Sequence, residues 1–308
     1  MRKYIIGVDV GGSSIKFGKF DLSGELLEKW QIRTDTSNKG DKILENIATS
    51  IKDKVKEEEI KGVGFGVPGP VSNNIVLYCV NLGWSRTNLE KEFRKFLTDN
   101  DIIIRVANDA NAAAAGEMYK GIAKGYNNVV MFTLGTGVGG GIVIDDKLVE
   151  GVNGVAGEWG HIHVDDTHYF KCACGKKGCL ETVASATGIV KLAKYNLDKY
   201  HMRSPLRRFE SFSAKKVIDN AKNGDFISER TIEESMKYLA QAMANLTLII
   251  NPEIIVIGGG ISHAGQYIIE KIEKYYYDLV EPFIAHTNFA LASLGNEAGI
   301  YGCCYLIK

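Results

Sequence analysis

Two stretches of this chain share one plan. YIIGVDV (4–10), a Gly11-Gly12-Ser13 turn and SIKFGKFDL (14–22) give an apolar run, a glycine turn and a second apolar run. NVVMFTL (128–134), a glycine-rich turn and GGIVIDD (140–146) repeat it. Apolar, β-branched runs joined by glycine read as strands closed into hairpins. Further strands are expected at ELLEKWQI (25–32), VGFGV (63–67), IIIRVA (102–107) and EIIVIGG (253–259), the last leading into Gly258-Gly259-Gly260. Between them lie helical patterns. Ile43, Ile47, Ile51 and Val55 recur every four residues within 41–60, NAAAAGEMYKG (111–121) is alanine-rich, and helical spacing runs from about 213 to 250. Strands alternating with helices predict α/β architecture. Two similar halves, each opening on a glycine hairpin, predict two lobes with a central cleft.

The glycine turns suit phosphate, because bare backbone can approach a ligand and its N–H groups can cradle oxygens. In the first, Asp9 ends a strand and Lys16 follows; a carboxylate there can share a Mg²⁺ with phosphates and water. The second carries a formal G-x-G-x-x-G at Gly135, Gly137 and Gly140, but a strand follows it. A dinucleotide fingerprint needs a helix at that point, so the Rossmann reading fails. No P-loop and no protein-kinase signature occurs in the sequence. A nucleotide held between several glycine turns remains. Asn108-Asp109 ends a strand where a helix starts; Asp109 can act as a general base or can simply cap the helix, as can Asn111.

The densest chemistry lies in GHIHVDDTHYFKCACGKKGCLE (160–181). Cys172, Cys174 and Cys179 with His161 make a Cys₃His set, that of a closed tetrahedral zinc site. His163 and His168 are the alternative imidazoles. The Cys-x-Cys spacing differs from the C-x-x-C of thioredoxin-like redox pairs, and four protein ligands leave no open coordination position for catalysis. The remaining thiols, Cys79, Cys303 and Cys304, are expected to be buried and inert.

Charge excludes some functions. Lys plus Arg and Asp plus Glu number 37 each, so no net field draws nucleic acid or an anionic membrane. The basic stretch KYHMRSPLRRF (199–209) reads as a surface loop. The start MRKYIIGVDVGG is too short for a signal segment and no run is long enough to span a bilayer, so the cytoplasm is the expected location.

Together these motifs resemble the ROK family of repressors, open reading frames and sugar kinases. DVGGSSIK resembles its first phosphate loop, VANDANAAAAGE its catalytic segment, LGTGVGGGIV its second phosphate loop, EWGHI with CACGKKGCLE its zinc signature, and NPEIIVIGGGIS its adenosine-side strand. The resemblance runs nearly end to end and implies a two-lobed, actin-like ATPase (ribonuclease H-like) fold. It implies a small N-terminal domain of residues 1–110 plus about 297–308, and a larger domain of 111–296 holding the zinc. The implied reaction is ATP-dependent phosphorylation of a hexose 6-hydroxyl, glucose first and N-acetylmannosamine as the alternative. Asp109 would be the base. Gly66, Asn81, Asn108, Asp109, Glu158, His161 and Glu181 would hold the sugar. Asp9, Gly11, Gly12, Ser13, Ser14, Lys16, Gly135, Thr136, Gly137, Gly139, Gly259 and Gly260 would hold ATP with Mg²⁺, and His161, Cys172, Cys174 and Cys179 one structural Zn²⁺. A homodimer without nucleic-acid or membrane partners is implied.

Ser13-Ser14 stand where many members have a Thr, which keeps a hydroxyl. GEWGH (157–161) resembles glucokinases and N-acetylmannosamine kinases, and GVPGPV and CVNLGW, with Pro70 and Asn81, favour the glucokinases. Two other classes compete: a sugar-responsive repressor, for which no DNA-binding segment fits ahead of Asp9, and a zinc-stapled sugar-binding module, against which Asp9, Lys16 and Asp109 argue.

Overall fold

The computed structural model describes residues 2–281, 283 and 286–308. The chain opens with strands β1 (Tyr4–Val10), β2 (Ser14–Asp21) and β3 (Leu26–Arg33), followed by helix α1 (Ile43–Lys52) and strand β4 (Ile60–Val67). Three two-residue strands come next, β5 (Val71–Ser72), β6 (Ile75–Val76) and β7 (Thr87–Asn88), then α2 (Leu89–Arg94), β8 (Ile103–Asn108) and α3 (Asp109–Tyr119). Beyond them lie β9 (Val129–Leu134), β10 (Val138–Ile144) and β11 (Lys147–Leu148). Helices dominate the rest: α4 (Glu181–Ala184), α5 (Ala186–Lys199), α6 (Ala214–Lys222), α7 (Phe226–Ile250), β12 (Ile254–Gly258), α8 (Gln266–Tyr276), β13 (Asn288–Leu291) and α9 (Ala298–Tyr305).

α1 is shorter than the apolar spacing over 41–60 predicts. Ile43, Ile47 and Ile51 are buried along one stripe, but the helix ends at Lys52 and Val55 reaches the core from the turn beyond it. The polar residues Lys56–Glu59 carry no further apolar stripe, and Glu57–Glu59 form a short 3₁₀ turn into β4. The basic stretch after residue 199 is mostly exposed and holds one 3₁₀ turn, Pro205–Arg208.

Contacts divide the chain into two units: residues 1–127, 141–157 and 293–308 in one, 128–140 and 158–292 in the other. A boundary after residue 110 would cut through α3; instead the whole helix stays with the first unit. The reason is close packing of small residues. A Cβ on Gly116 would lie 2.1 Å from the Ala298 carbonyl oxygen, and one on Gly302 would lie 1.7 Å from that of Ala112, so α3 and α9 touch backbone to backbone.

The first unit is built on the sheet β3-β2-β1-β4-β8, antiparallel across β1, β2 and β3 and parallel across β1, β4 and β8. Ile6, Val8, Phe17, Ile47, Phe65 and Phe93 form its fully buried core. A second sheet has the order β11-β10-β9-β12-β13, and the division between the units falls within β10. In the second unit, β12 runs parallel to both β9 and β13. Among the described residues no helix is long and apolar enough to cross a membrane.

Candidate active site and metal centre

In the first unit, register decides which side chains emerge together. Asp9 on β1 pairs with Gly66 on β4, and Gly66 pairs with Ala107 on β8. Asp9, Gly66 and Asn108-Asp109 therefore leave the sheet at one end, the carboxyl ends of parallel strands, where open α/β sheets hold ligands. Gly66 serves closeness: a Cβ there would lie 3.2 Å from Cys303 Sγ and 3.3 Å from Ala112 Cβ.

The first glycine loop is a tight hairpin in which Gly11 N–H donates to Ser14 O at 3.0 Å. Thr34, which nothing in the local sequence marks out, braces it: its hydroxyl donates to Gly11 O at 2.6 Å and its N–H to Ser13 O at 3.1 Å. Gly12 and Ser13 are exposed and Ser14 half-buried. Asp9 lies 3.6 Å from Lys16 Nζ. Burial raises the Asp9 carboxyl above its usual range and Lys16 works against that. Asn81, exposed on a 3₁₀ turn (Val80–Leu82), comes close enough to the loop that a Cβ on Gly12 would touch it at 3.7 Å.

The cap of α3 differs from both expectations. Asn108 caps it: Oδ1 accepts from Ala110 N at 2.9 Å and Asn111 N at 3.2 Å, while Nδ2 donates to Gly69 O at 3.1 Å. Asp109 is the first helical residue, exposed, and also accepts from Ala110 N at 2.9 Å. Asn108 has the extended φ/ψ a cap requires, so the cap sits one residue earlier than Asp109. Cys79 is buried nearby; burial first and the Asp109 charge last raise its thiol. Cys303 and Cys304 are fully buried with raised thiols, burial leading in each.

In the second unit the other two glycine loops lie at the carboxyl ends of parallel neighbours, with Gly258 paired to Thr133. Gly135 N–H donates to Gly137 O at 3.0 Å, and Ala186 N and Thr187 Oγ1 hold the outer carbonyls of Gly135 and Thr136 at 2.8 Å each. Gly139 follows as the second residue of β10. Gly259 has φ +82° and its Cβ would strike Leu134, so glycine is required there; Gly260 has open space around it.

GEWGH is anchored on the same sheet. Trp159 Nε1 donates to Met131 O at 3.1 Å and its ring stacks on Phe132. A Cβ on Gly160 would come within 2.3 Å of Val138 O. This fixes Glu158 and His161 on either side of Trp159 and Gly160. His161, Cys172, Cys174 and Cys179 bring one ligand atom each within 4.8 Å of the others. Cys174 and Cys179 sulfurs are 3.7 Å apart, and Cys172 Sγ lies 3.6 Å from His161 Nδ1. A tetrahedron with Zn–S bonds of about 2.3 Å has edges of ~3.8 Å, so these four residues fit that ion. Gly175 and Gly178 take positive φ between the cysteines. His163 is exposed and pairs with Asp166 at 2.8 Å, whereas His168 is buried between Asp165 at 3.0 Å and Glu234 at 3.3 Å. Neither joins the cluster.

Glu181 links the cluster to the second glycine loop. Cys172 Sγ donates to its Oε1 at 2.9 Å, and its Oε2 would lie 2.8 Å from a Cβ on Gly137. Burial, then Glu181, pushes the Cys172 thiol up, while the backbone of Lys176 leads in drawing Cys174 down. His161 points Nδ1 at the sulfurs; its Nε2 lies 4.0 Å from Glu158 Oε2. One imidazole thus faces the cluster with one nitrogen and the carboxylate with the other.

The chain is 38% identical to a glucokinase of Halalkalibacterium halodurans over 99% of this chain and 95% of that one. It is 35% identical to a glucokinase of Thermotoga maritima over 99% and 97%. The crystal structure of a ROK family glucokinase from Streptomyces griseus, in complex with glucose and AMPPNP, matches at TM-score 0.76 and 30% identity over 98% of both chains. A family model described as the ROK family matches residues 5–308, and the chain belongs to that family.

Proposed function

We propose that this protein is an ATP-dependent hexose kinase that phosphorylates the 6-hydroxyl of glucose. The observation that carries the reading is the common sheet end from which Asp9, Gly66 and Asn108-Asp109 emerge. Neighbouring strands are about 4.8 Å apart, so a phosphate-side carboxylate and a base two strands away lie within the span of one transferring phosphoryl group and its acceptor. Likeness to two glucokinases and to a glucose complex supports the choice of sugar.

In this reading Asp109 takes the proton from the sugar 6-hydroxyl as that oxygen bonds to the γ-phosphorus. The bond from that phosphorus to the bridging oxygen breaks, and ADP leaves with the electron pair. Asn108 sets the aim of Asp109 by fixing the first turn of α3, and its amide keeps a second N–H for a sugar hydroxyl. Gly66 would meet that sugar with its backbone, and Asn81, Glu158, His161 and Glu181 would supply hydrogen bonds to its hydroxyls. Gly11, Gly12, Ser13, Ser14 and Lys16 of the first unit, and Gly135, Thr136, Gly137, Gly139, Gly259 and Gly260 of the second, are the residues that would receive the nucleotide. Asp9 would hold Mg²⁺, which supplies charge neutralisation at the phosphates.

His161, Cys172, Cys174 and Cys179 would hold one Zn²⁺, whose contribution is structural. The Cys₃His cluster would fix the ring of His161, so Nε2 is left to meet a hydroxyl. The same family likeness extends the reading to a homodimer in the cytoplasm; sedimentation at micromolar concentration checks the dimer.

The test is coupled ADP release with Mg-ATP across glucose, N-acetylmannosamine, fructose and a β-glucoside. Glucose is expected to give the highest kcat/KM. Turnover with none of them ends the kinase reading; preference for N-acetylmannosamine replaces the sugar but keeps the chemistry.

A further inference from the structure

Glu117 sits in the last turn of α3, in a helix whose other buried positions are almost all Ala, Gly or Met, and is itself fully buried. A carboxylate in such a place is costly unless its oxygens are hydrogen-bonded. Four donors meet it. Oε2 accepts from Ile122 N at 3.0 Å, Ser293 N at 3.2 Å and Ser293 Oγ at 3.1 Å, and Oε1 accepts from Leu294 N at 2.8 Å. Gly121 is small for the same reason: a Cβ there would lie 2.0 Å from Glu117 Oε2.

Three of these donors belong to residues 293–294, which lie between β13 and a 3₁₀ turn (Gly295–Glu297) and have no ladder of their own. Immediately beyond, Asn296 O accepts from Lys16 Nζ at 3.4 Å. A Cβ on Gly299 would come within 2.9 Å of Asp9 Cγ, so this backbone is packed against the carboxylate of the first glycine loop. An apolar side chain would fill the end of α3 at lower cost in desolvation; what it could not do is hold two successive N–H groups at fixed angles.

We infer that Glu117 is a positioning residue for the nucleotide: its carboxylate clamps residues 293–294, and through Asn296 and Gly299 sets Lys16 and Asp9 where the phosphates and Mg²⁺ bind. The inference rests on the proposed ATP site. It concerns a residue that touches neither substrate, and it predicts an effect on one substrate alone.

The experiment is Glu117→Gln, read by calorimetric titration of a non-hydrolysable ATP analogue with Mg²⁺ and, separately, of glucose. The amide replaces one acceptor with a donor that faces other donors, so the nucleotide Kd is expected to rise about tenfold, with the glucose Kd within about twofold of wild type. Ser293→Ala removes a single donor and keeps the rest, so it folds where Glu117→Gln does not; its nucleotide Kd is expected to rise about threefold. Equal weakening of both ligands, or an unchanged nucleotide Kd in a folded variant, assigns Glu117 to stability alone and overturns the inference. If the wild-type protein binds glucose but no nucleotide, the ATP site itself is wrong and the inference falls with it.

Discussion

Asn108 and Asp109 are sequence neighbours whose roles separate in the structure, and their substitution should separate stability from turnover. Asn108→Ala removes the acceptor of two helix N–H groups and the donor to Gly69 O. Losing such a cap costs about 1 kcal/mol, and leaving the Gly69 carbonyl short of a partner costs about 1 kcal/mol more. Asp109→Asn keeps an acceptor for Ala110 N and gives up a first-turn charge worth about 0.5 kcal/mol. The stability order is therefore wild type, Asp109→Asn, then Asn108→Ala, with the last lower by ~2 kcal/mol.

Turnover should follow a different order. Removing the proton acceptor costs about a thousandfold in kcat, equivalent to ~4 kcal/mol of barrier. Asn108→Ala leaves the carboxylate in place on a loosened turn and should lose about tenfold. The assays are urea unfolding, coupled ADP release and calorimetric glucose titration on the same preparations. If Asp109→Asn keeps kcat within about tenfold of wild type, the carboxylate is not the base. If Asn108→Ala unfolds at the wild-type urea concentration, the cap carries no weight and Asn108 does not set the aim of Asp109.

Metal analysis of the purified protein should give about one Zn per chain, and Cys172→Ser should lower that content and, by releasing the His161 ring, raise the KM for glucose; lowered metal with unaltered KM would break that link. A Cβ on Gly140 would lie 2.0 Å from the Trp159 indole, so Gly140→Ala should dislodge GEWGH, quench or shift the Trp fluorescence and weaken glucose binding. Wild-type fluorescence would show that the strand can move aside. At Glu233, burial pushes the carboxyl up, but hydrogen bonds from Lys271, Tyr275 and Lys274 outweigh it and hold it at about 2. A lowered folded value stabilises above the unfolded value and is lost as pH falls through the folded one. The stability gap between wild type and Glu233→Gln should therefore be full at neutral pH and close between pH 4.5 and about 2; a gap independent of pH would exclude the ion pairs as its source.

What the sequence reveals follows the range of the interactions. The runs 4–10 and 14–22 match β1 and β2 almost residue for residue, because an apolar, β-branched run and a glycine turn are local signals. The four residues of the sulfur cluster are legible for a similar reason: ligand type and count do not depend on where the backbone travels. The cap of α3 is harder. Asn108, Asp109 and Asn111 all have the right side chains, and only the extended backbone at Asn108, set by its place on β8, makes the choice.

Long-range terms are hidden. Thr34 acts on Gly11 and Ser13, over twenty residues away, and Glu117 on a segment more than 170 residues downstream. The excursion 141–157 joins the first unit partly because Gly154 packs onto Val71, where a Cβ would meet its carbonyl oxygen at 1.8 Å; no composition shift announces that. One clue to Glu117 was present, a lone carboxylate in the alanine-rich run NAAAAGEMY, since an apolar helix rarely carries an acid without donors brought from elsewhere. The candidate active site is hidden in the same sense. Asp9, Gly66 and Asn108 are separated by tens of residues, and it is the parallel register of β1, β4 and β8 that puts them abreast. A one-residue slip in either pairing would turn every side chain of the strand to the opposite face, so the chemistry depends on packing that no single motif contains.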